Sequence, residues 1–368
     1  MSNATLTVDL NKFRRNLAIC KKQTDARMLL VVKANAYGHG ITKISQIAIE
    51  EGVHVLGVAN TDELTVLRNA GLNAEIFLLG VVDPEDFPTA VKFKAHVPVW
   101  RLDQLESLDA AAAKQGMTGK FQIKIDTGMG RLGLFIEELG DFLRHIQKFK
   151  NIQCTGVYSH FMGSDLDDLT HAGAQLDLFT KAVTQIRTSG LTPEYIHIAN
   201  SPATLRMSAS HFNLVRLGVA AYGLNPFLPT PNVVALEPIA SWTTKLLNIK
   251  TLPPGHGVSY GAEYRTSENQ RIGVVPVGYA DGFRRYPSKI NTVLIRGQEV
   301  RVLGRVCMDH IMVDLSSVAG AALNDEVVLI GRQGDKEISA DILSVRWGTN
   351  NYDVVVNIGN RVKRIYKD

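Results

Sequence analysis

The chain of 368 residues carries 40 Lys and Arg against 36 Asp and Glu, for a formal charge of +4, and is 45% hydrophobic, which suits about two ordinary globular domains. Its basic residues are interspersed with acids, so a nucleic-acid binder's electrostatic footprint is missing, and no run approaches the roughly 18 apolar residues of a membrane span. Cys20, Cys154 and Cys307 are odd in number and far apart, against a disulfide framework or a zinc site. No metal is expected, and an N-terminus without a basic region, apolar stretch and cleavage site points to the cytoplasm.

In chain order, apolar or β-branched runs occur at residues 28–33, 53–59, 75–79, 95–100, 121–126, 153–159, 195–199 and 214–217, with amphipathic, helix-like stretches between them. Eight β units in about 220 residues define an α/β chain whose N-terminal part is a (β/α)8 TIM-type barrel. Residues 224–238 hold Pro226, Pro229, Pro231 and Pro238, a density that neither helix nor central strand tolerates. The expected division is a barrel domain over residues 1–230 and a mainly β domain over 231–368. Strands of the latter are expected at 241–250, 271–278, 292–295, 300–306, 311–315 and 326–330.

Active sites of such barrels lie at the C-terminal ends of the strands, which directs attention to polar residues closing apolar runs. Lys33 ends MLLVVK, Lys124 and Asp126 end FQIKID, Ser159 and His160 follow Val157, Asn200 and Ser201 follow IHIA, and Arg216 lies in NLVRLG. A lysine closing a buried strand either reaches solvent or is paired, neutralised or covalently used, and a Schiff base is one such use. Ser201 is suited to capping the helix that PATLR begins, or, with the backbone of Gly218 and Val219, to holding a phosphate. Arg216 needs a fixed partner, either a structural carboxylate or a ligand, and His160 is open to a core or a catalytic reading.

The stretch VVKANAYGHG (31–40) resembles the cofactor-attachment motif of the alanine racemase family. Further family-like blocks follow in order: KIDTGMGRLG (124–133), SHF (159–161), HIANSPATLR (197–206), VRLGVAAYGLNP (215–226), VSYGAEY (258–264), VGYADG (277–282), GRVCMDHIMVD (304–314) and, imperfectly, IGNRVKRIY (358–366). The family comprises fold-type III pyridoxal-phosphate amino-acid racemases. The resemblance implies pyridoxal 5'-phosphate as cofactor, Lys33 as its covalent anchor and one catalytic base, and Tyr260 from the partner subunit of a homodimer as the other. It assigns Arg216 to the cofactor's ring nitrogen, His160 to a link between that arginine and the tyrosine, and Tyr37, Ser201, Gly218 and Val219 to the phosphate, with Asn200 beside them. Arg131 and Met308, with Cys307 and Asp309 less directly, are implied near the substrate, and Tyr279, Arg305 and Asp165 at its entry. Lys124 matches a lysine often carbamylated in the family, a charge reversal that would hold Arg131.

One position departs from the family. A tyrosine beside phosphate and substrate is usual where this chain has Asn360, as in serine-accepting relatives. The implied activity is interconversion of L- and D-alanine, with serine as a second or preferred substrate. A decarboxylase of the same architecture, which resembles its relatives in placing an acid at the ring nitrogen, is the alternative that Arg216 disfavours. A pyridoxal-phosphate-holding barrel protein without the second domain is disfavoured by residues 239–368.

Overall fold

The computed structural model describes residues 4–285 and 290–368. After β1 (Thr5–Asp9), eight strands form one parallel sheet: β2 (Arg27–Val31), β3 (Val55–Val58), β4 (Glu75–Leu78), β5 (His96–Val99), β6 (Gly119–Lys124), β7 (Ile152–Tyr158), β8 (Tyr195–His197) and β9 (Leu214–Leu217). They run β8-β7-β6-β5-β4-β3-β2-β9. The barrel nearly closes at β8 and β9, where Arg216 N donates to Ala199 O (3.0 Å) and Asn213 Oδ1 accepts from Ile196 N (2.8 Å). All eight runs expected from the sequence form these strands.

Side chains alternate across a strand, and the barrel interior divides accordingly. Leu29, Val31, Val55, Phe77, Tyr195 and Leu214 pack as one apolar cluster. Gln122, Lys124, His197 and Arg216 are also buried, and are bound into the polar cluster described below.

The second sheet contains β10 (Ala240–Lys245), β11 (Asn248–Leu252), β14 (Gln270–Val275), β15 (Thr292–Ile295), β16 (Gln298–Leu303), β17 (Ile311–Asp314), β18 (Glu326–Gln333), β19 (Lys336–Ile338) and β20 (Lys363–Lys367), while β12 (Gly257–Val258) and β13 (Tyr264–Arg265) form a separate pair. One expected strand, 241–250, is in fact two. Leu246 and Leu247 hydrogen-bond to Asp325 and Val274 on different neighbours, so the chain changes partner there.

Two features were not expected. β1 joins this second sheet, antiparallel to β10 and parallel to β20, and the helices Ala340–Trp347 and Asn351–Val356 add to the β domain. Asn16, fully buried on the helix Leu10–Lys21, exchanges hydrogen bonds with Glu237 N (2.9 Å) and O (2.8 Å). It thereby ties that helix to the proline-rich connection.

Candidate active site

The strand β2 is followed by a backbone anomaly: Ala34, Asn35, Ala36 and Tyr37 have φ of 52°, 55°, 54° and 53°. Left-handed geometry costs an L-residue about 1–2 kcal/mol each, and clustered strain of this kind accompanies functional sites. The turn is held by Ala36 N to Val32 O (2.7 Å) and Gly40 N to Asn35 O (2.8 Å), and by Asn35 Oδ1, which accepts from Ile41 N (2.9 Å). Gly38 (φ +82°) sits where a Cβ would lie 2.4 Å from Val355 O, and Arg364 Nε donates to Gly38 O (3.1 Å). The second domain thus clamps the turn that presents Lys33 and Tyr37.

Lys33 opens into a cavity of about 410 Å³ that is also lined by Tyr37, Lys124, Arg131, Tyr158, His160, Asp165, Asn200, Ser201, Arg216, Gly218, Val219 and Tyr352. Four cations face one carboxylate, so the cavity suits a polyanionic ligand. Burial and then the charge of Arg131 lower the pKa of Lys33, with Glu63 opposing them.

Of the two readings open for Ser201, the helix cap is not the one formed. Asn200 Oδ1 caps the helix Ser201–Arg206 through Ala203 N (3.3 Å) and accepts from Ser164 Oγ (2.7 Å). Ser201 Oγ instead accepts from Gly218 N (2.8 Å), so the Gly218 N–H expected to face a ligand is already engaged. Among the described residues, the hydroxyl protons of Tyr37 and Ser201 and the N–H of Val219 keep no protein acceptor. A Cβ on Gly218 would lie 2.9 Å from the Tyr37 hydroxyl and 3.9 Å from Ser201 Oγ. Glycine keeps this end of the cavity open, and its free donors match a phosphate.

At the other end Arg216 is buried, with no carboxylate partner among the described residues. Its Nη1 donates to His197 Nδ1 (2.8 Å) and its Nη2 to His160 Nδ1 (3.0 Å), Ser159 O (2.9 Å) and Ile198 O (2.9 Å). A guanidinium only donates, so both imidazoles present unprotonated Nδ1. His197 Nε2 then donates to Gln122 Oε1 (2.7 Å). Burial first and Arg216 next hold both histidines well below their ordinary pKa, and burial lowers Arg216 to about 10. Its Nε has no partner among the described residues and remains for a ligand's acceptor.

Lys124 is buried, with no ion pair among the described residues and its Nζ 4.3 Å from the centre of the Tyr158 ring. Burial, then Arg216 and Arg131, push it down to about 7. Tyr158 stacks on His197 at 5.0 Å. Gln122, His197, Tyr158 and Tyr352 were not anticipated. Gln122 shares a strand face with Lys124 and Tyr158 closes β7, but neither position by itself distinguishes a site residue from an ordinary strand residue. Nothing local marked Tyr352.

Other expected site residues lie off this cavity. Tyr260 (68% exposed) and Met308 (52% exposed) belong to the second domain, where Tyr260 and Cys307 line a separate pocket. Tyr279 is exposed, Arg305 pairs with Glu263 (2.7 Å), and Asp309 pairs with Arg361 (2.7 Å). Asn360 is exposed and does not line the cavity. Tyr352, eight positions earlier in the chain, lines it instead. Among the described residues no His, Cys, Asp and Glu group is arranged for a metal, and no helix is long and apolar enough to cross a membrane.

A lysine at a strand end, a group of free donors around Ser201 and an arginine with a free Nε, gathered in one cavity on the C-terminal rim of a (β/α)8 barrel joined to a β domain, have the arrangement of a barrel enzyme's active site. Residues 8–226 match the model of the alanine racemase N-terminal domain and residues 239–366 that of its C-terminal domain; the chain belongs to the alanine racemase family. It is 37% identical to the alanine racemase of Desulfovibrio desulfuricans over 98% of this chain and 96% of that one. With that of Halothermothrix orenii the identity is 36%, over 94% and 91%. Among solved structures, the alanine racemase of Bacillus anthracis with bound L-Ala-P superposes with a TM-score of 0.96 at 35% identity, covering 100% of this chain and 96% of that one. That of Streptomyces lavendulae superposes at 0.93 and 35%, covering 100% and 98%.

Proposed function

We propose that the protein is a pyridoxal-phosphate-dependent alanine racemase acting as a homodimer with shared active sites. The observation that carries this reading is Arg216 itself, a donor held only by neutral acceptors, where a decarboxylase would have an acid. The cofactor fits the residues present. Lys33 would anchor it, Tyr37, Ser201 and Val219 would donate to its phosphate, and Arg216 Nε would face its ring nitrogen. When bound, it supplies a conjugated electron sink that acidifies the substrate Cα–H.

The chain's own groups supply the rest. Lys33 Nζ takes or returns the Cα proton on one face, and Tyr260 of the partner subunit does so on the other, so both enantiomers are made. Exposure of Tyr260 and Met308 away from the cavity supports their delivery to a partner. Arg216 retains its proton at Nε, because a guanidinium is a poor acid even with its pKa lowered. Arg131 suits the substrate carboxylate, and Asp165 the entry.

At neutral pH Lys124 is partly the free amine. That amine attacks CO2, forming an N–C bond and releasing a proton, and the resulting carbamate anion lies among Arg131 and Arg216. The three free cysteines agree with a cytoplasmic setting.

We take alanine as the principal substrate, since Tyr352 and not Asn360 walls the cavity. The test is chiral chromatography of holoenzyme with L-alanine and L-serine. An alanine advantage of about tenfold or more in kcat/KM is expected. Parity or a serine advantage would make this a serine racemase, and no racemisation of either would overturn the assignment.

A further inference from the structure

We propose that Glu63 is a positioning residue for Lys33, its carboxylate tying the left-handed turn to the neighbouring barrel strand and fixing a negative charge beside the lysine. The proposal rests on the reading of Lys33 as the anchoring lysine.

Glu63 is the third residue of the helix Thr61–Asn69, whose cap Asn60 accepts from Glu63 N through Oδ1 (3.0 Å). A glutamate at that place ordinarily turns back to the cap's own N–H. Here Oε2 accepts from Ala59 N (2.7 Å), one residue before the cap, and Oε1 crosses to Ala34 N (2.6 Å). Ala59 follows β3 and Ala34 is the first residue of the left-handed run, so one half-buried carboxylate bridges the ends of two adjacent strands. Both contacts are short, as charge-assisted hydrogen bonds are.

The groups facing Lys33 make the charge matter. Arg131, from the loop after β6, lowers its proton affinity together with burial, and Glu63 raises it. The lysine in turn bears on His160. The charge of Glu63 also bears on the Tyr222 hydroxyl, and that hydroxyl donates to Val31 O (2.8 Å) at the end of β2. Glutamine would keep the size of the side chain, lose the charge, and turn an amide NH2 towards one of the two N–H groups.

The experiment compares wild-type, Glu63→Gln and Glu63→Asp holoenzymes. It follows the pH profile of kcat for L-alanine, which reports Lys33 once substrate has displaced it from the cofactor, together with KM, the loss of cofactor absorbance on dialysis, and the melting temperature. The glutamine variant is expected to move the acidic limb down by about half a pH unit or more, to lower kcat roughly tenfold with less change in KM, and to lose cofactor faster. Aspartate keeps the charge but is too short to bridge, so it restores the limb and not the retention. An unmoved limb with unchanged cofactor loss in the glutamine variant, whatever its melting temperature, overturns the proposal. A Lys33→Ala protein run in parallel separates the two failures: retained racemisation there would overturn the lysine assignment, and the proposal with it.

Discussion

Lys124 shows most directly how one side chain couples this fold to its medium. Its folded pKa, about 7, lies below that of an unfolded lysine, so its burial costs nothing above about pH 10.5, where the amine is neutral in both states, and costs progressively more as pH falls towards 7. In CO2-free buffer the wild-type melting temperature is expected to rise between pH 7 and 9.5 by roughly 3 °C more than that of Lys124→Met. Bicarbonate should abolish the difference by converting the amine to carbamate. Scanning calorimetry checks this, and equal slopes in both buffers would show that the lysine bears no such cost. Lys33, Lys124 and Arg216 were legible in the sequence because a charge inside an apolar run demands an explanation. Gln122 and Tyr158 carry no such flag. Each is plausible on any strand, and only the closing of the barrel places them against His197.

At the level of elements, the barrel strands were legible because each is a short apolar run between amphipathic helices. The β1–β20 end of the second sheet was not. β1 is five residues long and β20, KRIYK, is mostly charged, so long-range pairing rather than local pattern makes them strands. The left-handed turn was likewise invisible, since nothing in ANAY requires positive φ; it is imposed by Asn35, Glu63 and the second domain. Gly38→Ala tests that imposition. Its Cβ would meet Val355 O at 2.4 Å, a backbone atom, so the substitution is expected to cost about 2–4 kcal/mol and to loosen cofactor retention. Gly190→Ala, with similar φ (+90°) and open space around it, should cost only about 1 kcal/mol and leave the cofactor in place. Denaturant titration of both variants distinguishes clash from simple backbone strain.

For the whole molecule, the separation of Tyr260 from the cavity of its own chain is the feature with the sharpest consequence. Lys33→Ala and Tyr260→Phe proteins should each be nearly inactive. On the proposed homodimer with shared sites, mixing and subunit exchange should give hybrids in which one site carries both defects and the other carries neither. About a quarter of wild-type activity should then return. Activity recovering on mixing, followed over hours by a coupled D-alanine assay, supports shared sites; no recovery despite exchange shown by mass spectrometry of the native dimers would place both bases in one chain.

The parallel pairing of β1 with β20 also orders events at the ribosome. β1 finds one flank of its place in the second sheet only once β20 has left the exit tunnel, with the whole barrel made in between. A growing chain must therefore carry that unsatisfied flank of β1 until β20 is made. Removing β20 would leave it permanently open to pairing with other molecules.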